Sequence, residues 1–151
     1  LMIETGRFPT AQAGTYWLRV VDKKFSRGKT YVIAENCMNG LQKPALAAML
    51  RHELGGGTPT PYEPLITSEW AFPIIAHGDE SRAETVDIVG NLCCAADVLT
   101  EDFTGPELAV GDLIEVRNAG AYACTLTAQR FSSHQPPREL LVYGDGRVET
   151  E

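Results

Sequence analysis

The 151-residue sequence lacks several things, and each lack closes off a class of protein. It has no uninterrupted run of about 18 apolar residues, so no segment is suited to cross a bilayer as a helix. No basic stretch followed by an apolar one opens the chain, so no secretory leader is written in it. Leu1 stands first in place of a methionine, and the expectation is a piece of a longer protein whose upstream part, with any leader, lies elsewhere. Positive charge is scarce: 13 Lys and Arg oppose 20 Asp and Glu, leaving a formal charge of −7. A nucleic-acid binder presents a basic face. Here only Lys23, Lys24, Arg27 and Lys29 cluster, around Gly28, where a solvated hairpin accounts for them. Cysteine is limited to Cys37, Cys93, Cys94 and Cys124, with no paired CxxC and no histidine at zinc-finger spacing, so no metal site is expected. With 44% hydrophobic residues the chain can form a core without disulfides, which points to a reducing, cytoplasmic compartment. Repeats and low-complexity stretches are also missing.

What is present is mostly strand-forming. Residues 12–25 are rich in Thr, Tyr, Trp and Val and read as a long strand ending in a Lys-Lys-Phe-Ser-Arg-Gly turn, with 29–34 as its hairpin partner. Pro44 and the Ala-Leu-Ala-Ala-Met-Leu run after it read as a short helix with proline in its first turn. Gly55, Gly56 and Gly57 followed by Pro59 and Pro61 mark a loop too short and too central to divide domains. Further strands are expected at 64–72, 84–89, 113–116 and 138–143, with a turn at 78–82 and a last short strand after Gly144-Asp145-Gly146. About seven strands with turn signals every ten or so residues predict a mainly all-β sandwich or barrel carrying one or two short helices.

Three clusters carry chemistry. In Ile3-Glu4-Thr5-Gly6-Arg7, a glycine lets a backbone N–H approach an anion while the guanidinium can grip a phosphate with two hydrogen bonds; a charged strand end explains the same residues. In Gly90-Asn91-Leu92-Cys93-Cys94-Ala95-Ala96-Asp97, a thiol just past a strand and a glycine could serve acid–base or nucleophilic work. Two small buried thiols are the plainer reading. In Gly111-Asp112-Leu113, then Asn118-Ala119-Gly120-Ala121-Tyr122, small residues before a tyrosine allow close backbone approach and leave a phenol for a ligand, or for the core.

Taken together, the order and spacing of the clusters resemble the C-terminal region of the fold-type III, pyridoxal-phosphate-dependent amino-acid decarboxylases, a family that includes diaminopimelate, ornithine and arginine decarboxylases. The family's Glu-Pro-Gly-Arg resembles Glu4 to Arg7, with Thr5 in place of proline. Its Gly-Pro-x-Cys-Glu-x-x-Asp resembles Gly90 to Asp97, and its Gly-Asp-Leu and Asn-Ala-Gly-Ala-Tyr match 111–113 and 118–122 unchanged. A closing Pro-Arg-x-x-x-Val resembles Pro137 to Val142.

The resemblance implies a two-domain subunit: residues 1–9 would end the last strand of an N-terminal barrel, and 10–151 would form the C-terminal β domain, like that of alanine racemase and ornithine decarboxylase. It implies pyridoxal 5′-phosphate as cofactor, an amino-acid substrate and a homodimer. The Schiff-base lysine of the family lies upstream, and none of Lys23, Lys24, Lys29 and Lys43 stands in a matching context. The chain alone is therefore expected to be inactive. Glu4 resembles the acid that pairs with the pyridinium nitrogen and keeps the ring protonated. Gly6, Arg7 and Tyr122 resemble the phosphate anchor. Cys93 resembles the cysteine that reaches into the partner subunit's site and helps protonate the substrate carbon; a thiol suits this because its ordinary pKa, about 8.5, lies near neutrality.

Two departures bear on substrate. The family's acid after that cysteine, which reads a distal amine, is Cys94 here, and it cannot make that charge-assisted bond. The diaminopimelate decarboxylases' Arg-Pro-x-x-Tyr becomes Lys43-Pro44 with Ala47 at the tyrosine position, keeping a charge but losing the fork. Both argue against diaminopimelate and fit a specialised decarboxylase acting on a carrier-linked or natural-product amino acid. A non-decarboxylating relative that binds the cofactor, and an alanine-racemase-like enzyme, stay open as alternatives.

Overall fold

The computed structural model describes residues 1–2, 6–46 and 71–150. Its first long strand, β1 (Tyr16–Ser26), alternates in the way a half-buried strand must: Leu18 and Val20 face the core while Trp17 and Arg19 face out. Arg27 and Gly28 then take the left-handed backbone, φ 52° and 83°, that a two-residue hairpin turn requires, and β2 (Lys29–Ala34) returns antiparallel from Ser26↔Lys29. The register shifts between Val20 and Asp22, leaving Val21 exposed, so Val32 and Ala34 of β2 still point inward.

The remaining strands are β3 (Ile74–His77), β4 (Asp79–Gly90), β5 (Val98–Glu107) and β6 (Leu113–Val116). They complete one six-stranded sheet in the order β3-β6-β1-β2-β4-β5. β1 is shared along its length: its first residues pair with β6 and its later ones with β2. β2 and β4 run parallel, which demands a crossover between them, and helical residues 42–46 lie on it. The edge strands β3 and β5 come into contact, so the sheet curls into a nearly closed barrel. Its interior is filled by Leu18, Val20, Val32, Ile88, Ile114 and Val116, with Leu41, Phe72 and Leu108 closing the ends. A separate hairpin of β7 (Leu140–Val142) and β8 (Val148–Thr150) ends the described chain.

The mainly all-β expectation and the first hairpin hold. The basic cluster around Gly28 does more than face water. Lys23 Nζ reaches Glu84 at 2.8 Å and the Leu108 carbonyl, and Lys29 Nζ bridges Asp87 at 3.0 Å and Asp102 at 3.2 Å, tying the hairpin to β4 and β5. Other boundaries need correction. The expected turn at 78–82 is the start of the twelve-residue β4, because only Gly78 breaks the chain after β3. β5 was hidden in the sequence behind Gly105 and Pro106, which interrupt strand-like composition but sit at its end. Residues 12–15 precede β1 rather than belonging to it, since 11–13 form a 3-10 turn. Ala71 and Phe72 lie outside any strand. The glycine-proline loop at 55–61 and the rest of the expected 64–72 strand fall outside the described residues, as do Glu4 and the end of the expected helix.

Candidate functional site

Two segments far apart in sequence build the first half of the site. After Arg7 the chain turns tightly, with the Thr10 and Ala11 amides both donating to the Arg7 carbonyl. Against this turn lies the 118–122 loop. Its Asn118 takes φ 60° and donates from Nδ2 to the Ala71 carbonyl at 2.9 Å; the Ala119 amide donates to Gly14 and the Gly120 amide to Ala11. The approach is so close that a Cβ on Gly120 would stand 2.0 Å from the Thr10 carbonyl oxygen. That contact is the physical reason for glycine at position 120.

Tyr122, itself at φ 60° and half exposed, is thereby swung over the start of the chain. A Cβ on Gly6 would lie 2.1 Å from its hydroxyl, so glycine is required beneath it. The Arg7 guanidinium lies 4.9 Å from the centre of the Phe72 ring and 5.5 Å from that of Tyr122. Arg7 Nη1 donates to the Ala121 carbonyl at 3.3 Å. Burial draws the Arg7 pKa below its ordinary value, while Tyr122 opposes the shift. Gly6, Arg7 and Tyr122, proposed from two motifs, thus converge into one cradle with a cation, a phenol and a glycine backbone. That donor set suits a phosphate. A cavity of about 380 Å³ opens beside it, lined by Tyr16, Gly40, Tyr122, Cys124 and Arg138. Burial, followed by the neighbouring Glu139 carboxylate, raises the Cys124 thiol pKa.

The second half is the loop after β4. Cys93 is exposed and Cys94 half-buried, so the expected pair of buried thiols does not occur there; the buried thiol is Cys37. The loop closes on itself through the Gly90 amide donating to the Asp97 carbonyl and the Asp97 amide donating to the Cys94 carbonyl. The Asp97 carboxylate accepts from the Leu92 amide at 2.9 Å and, across the molecule, from the Met38 amide at 2.7 Å. Burial pushes the Cys37 thiol well above its ordinary pKa, and the Asp97 charge and a hydrogen bond to it push further.

The 36–43 segment joins the halves. The Tyr16 hydroxyl donates to the Asn36 carbonyl at 2.6 Å, and its pKa is raised chiefly by burial. The Gln42 amide, next to Lys43, donates to Thr127 Oγ1, whose hydroxyl in turn donates to the Ala123 carbonyl just past Tyr122. Lys43 is half-buried in the short helix. Among the described residues, no hydrogen bond joins Cys93 or Cys94 directly to Arg7 or Tyr122; the 36–43 segment is bonded to the 90–97 loop at one end and to Thr127 at the other. Asp97, Tyr16, Thr127 and Phe72 had no assigned role in the sequence reading. Asp97 could have been suspected from its place at the end of the 90–97 motif, but the other three carry no local signal.

The curled β domain thus brings a glycine, an arginine and a tyrosine into one cradle and carries a separate thiol loop. The model of the pyridoxal-dependent decarboxylase C-terminal sheet domain matches residues 10–120, and the chain belongs to that family. It is 31% identical over 140 residues to the L-glutamyl-[BtrI acyl-carrier protein] decarboxylase of Niallia circulans, covering 93% of this chain and 30% of that one. It is 30% identical over 151 residues to the diaminopimelate decarboxylase of Pseudomonas fluorescens, covering 99% of this chain and 30% of the relative. Among solved structures, diaminopimelate decarboxylase from M. jannaschii in complex with L-lysine superposes with a TM-score of 0.72 at 25% identity, over 96% of this chain and 28% of that one. The chain therefore spans about 30% of the length of the curated relatives it matches. Among the described residues, no helix is long and apolar enough to cross a membrane.

Proposed function

We propose that this chain works as the C-terminal β domain of a full-length, homodimeric, cytoplasmic decarboxylase that uses pyridoxal 5′-phosphate on an amino-acid substrate. The observation that carries the reading is the convergence of Gly6, Arg7 and Tyr122 into one cradle, with Cys93 exposed on a braced loop of its own. When bound, the cofactor supplies an electron sink for the bond that loses carbon dioxide. The Gly6 backbone, the Arg7 fork and the Tyr122 hydroxyl hold its phosphate, and Glu4 keeps its ring nitrogen protonated. Cys93 gives a proton to the substrate carbon in the partner subunit's site. Lys43 and Cys94 face the substrate's far end. Residues 1–9 continue from an upstream barrel that carries the Schiff-base lysine.

The substrate is an amino acid without a free distal amine. Cys94 offers no charge to read such an amine, and Lys43 suits a carboxylate or a carrier-linked group. The similarity to a decarboxylase named for a glutamyl-carrier substrate supports this class. The test is carbon dioxide release by the full-length protein, loaded with cofactor, from lysine, ornithine, diaminopimelate, glutamate and a glutamyl thioester. Release from the thioester or glutamate above the diamines is expected. No release from any of them, with cofactor bound, would defeat the decarboxylase reading, and preference for the diamines would defeat the substrate class.

A further inference from the structure

Asp97 stands out among the buried polar groups. It is 3% exposed, and its carboxylate accepts from two backbone amides that lie far apart in the chain, Met38, 59 residues away, and Leu92, with the Cys37 thiol also against it. A buried carboxylate is costly to desolvate, and charge-assisted bonds from amides offset that cost only while both stay in place. The surroundings are shaped for it. A Cβ on Gly90 would stand 1.9 Å from Asp97 Oδ2, so only glycine leaves room for the carboxylate at the neck of the loop. On the far side, the segment that includes Met38 is itself pinned, by Tyr16 at Asn36 and by Thr127 at Gln42.

We propose that Asp97 is the positioning residue of the thiol loop: its carboxylate latches the loop carrying Cys93 to the backbone of the 36–41 loop, and so fixes the thiol relative to the segment that carries Lys43. The inference deepens the proposed function and rests on its assignment of Cys93. Because the two latching donors are backbone amides, the latch tolerates changes in the side chains at 38 and 92 but not in the acid. Asparagine would present one acceptor and one donor where two N–H groups converge, so either Met38 or Leu92 would face another N–H.

The test uses the full-length, cofactor-loaded protein. Asp97→Asn should lower kcat on the order of 10²-fold, the scale of a misplaced reacting group, while KM and the cofactor Kd move by less than about twofold. In a Cys93→Ala background the same substitution should cause no further fall in the residual turnover, because the residue acts through the thiol. Hydrogen exchange in peptides spanning 36–41 and 90–97 should speed up by about tenfold or more. If the two losses multiply, Asp97 is a general structural residue and the positioning role is refuted. Unchanged exchange in both peptides refutes the latch itself. Should Asp97→Asn fail to accumulate, Gly90→Ala crowds the same carboxylate without removing it and is expected to give the same three results, with the same refutations. If the wild-type protein releases no carbon dioxide from any substrate, the proposed function falls, and the exchange measurement alone decides the latch.

Discussion

Replacing Arg7 by alanine in the full-length protein should strip the cofactor site of its phosphate grip. The guanidinium has five N–H groups in a rigid plane. One nitrogen donates to the Ala121 carbonyl at 3.3 Å, and Phe72 and Tyr122 hold the plane at 4.9 and 5.5 Å; among the described residues the other N–H groups have no hydrogen-bond partner. Removing the grip on a charged group should cost about 1.5–3 kcal/mol. At 1.4 kcal/mol per tenfold, the loss is roughly 12- to 140-fold in Kd. Arg7→Lys keeps the charge but not the fork or the stacked plane, and its Kd should fall between wild type and Arg7→Ala. The assay is a spectroscopic titration of the apo protein with pyridoxal phosphate and, in parallel, with pyridoxal, which lacks the phosphate. Wild type should discriminate strongly between the two and Arg7→Ala should lose most of that discrimination. An unchanged Kd for pyridoxal phosphate in both variants would remove Arg7 from the site. An equal loss for both ligands would show that the mutation damages the fold and not a phosphate contact.

Cys93→Ala should lower turnover by about 10²- to 10⁴-fold with the cofactor Kd nearly unchanged. Mixed equally with subunits lacking the Schiff-base lysine, and with exchange demonstrated, it should restore roughly a quarter of all sites; no recovery would mean that the thiol does not serve the partner's site. Cys94→Glu should raise the specificity ratio for lysine or ornithine over the native substrate, and no gain would place Cys94 away from the substrate's far end. Gly120→Ala should destabilise the domain by about 1–3 kcal/mol, read as a lower urea midpoint, since its Cβ would meet the Thr10 backbone and not a yielding side chain. The Glu115 carboxyl is held below its ordinary pKa of 4.5, chiefly by its bond from Arg117, with His77 adding to it. A depressed folded-state value means that its contribution is complete above 4.5 and fades as pH falls through the lower, folded-state value. Urea midpoints measured on acidification should therefore fall less in Glu115→Gln than in wild type, and parallel curves would contradict the assignment.

The sequence by itself determined the local features and, through its motifs, the family. Composition marked residues 12–25 as a strand and Arg27-Gly28 as its turn, and alternation over 84–89 marked a strand ended by Gly90, because each depends on neighbours within a few residues. The order of Gly6-Arg7, Cys93 and Asn118 to Tyr122 was enough to group them, since a family motif is read along the chain. Tertiary structure alone decided what those residues touch. That Gly6 must be glycine follows from the Tyr122 hydroxyl above it, 116 positions away in sequence. β5 could not be read past Gly105 and Pro106, because its pairing with β4 outweighs their poor strand propensity. The lysines near Gly28 looked merely solvated until β4 and β5 brought Glu84, Asp87 and Asp102 against them. Asp97 was visible as the last letter of a motif. Its partner at Met38 was not, because a backbone amide has no identity in sequence and finds an acceptor only when the chain folds.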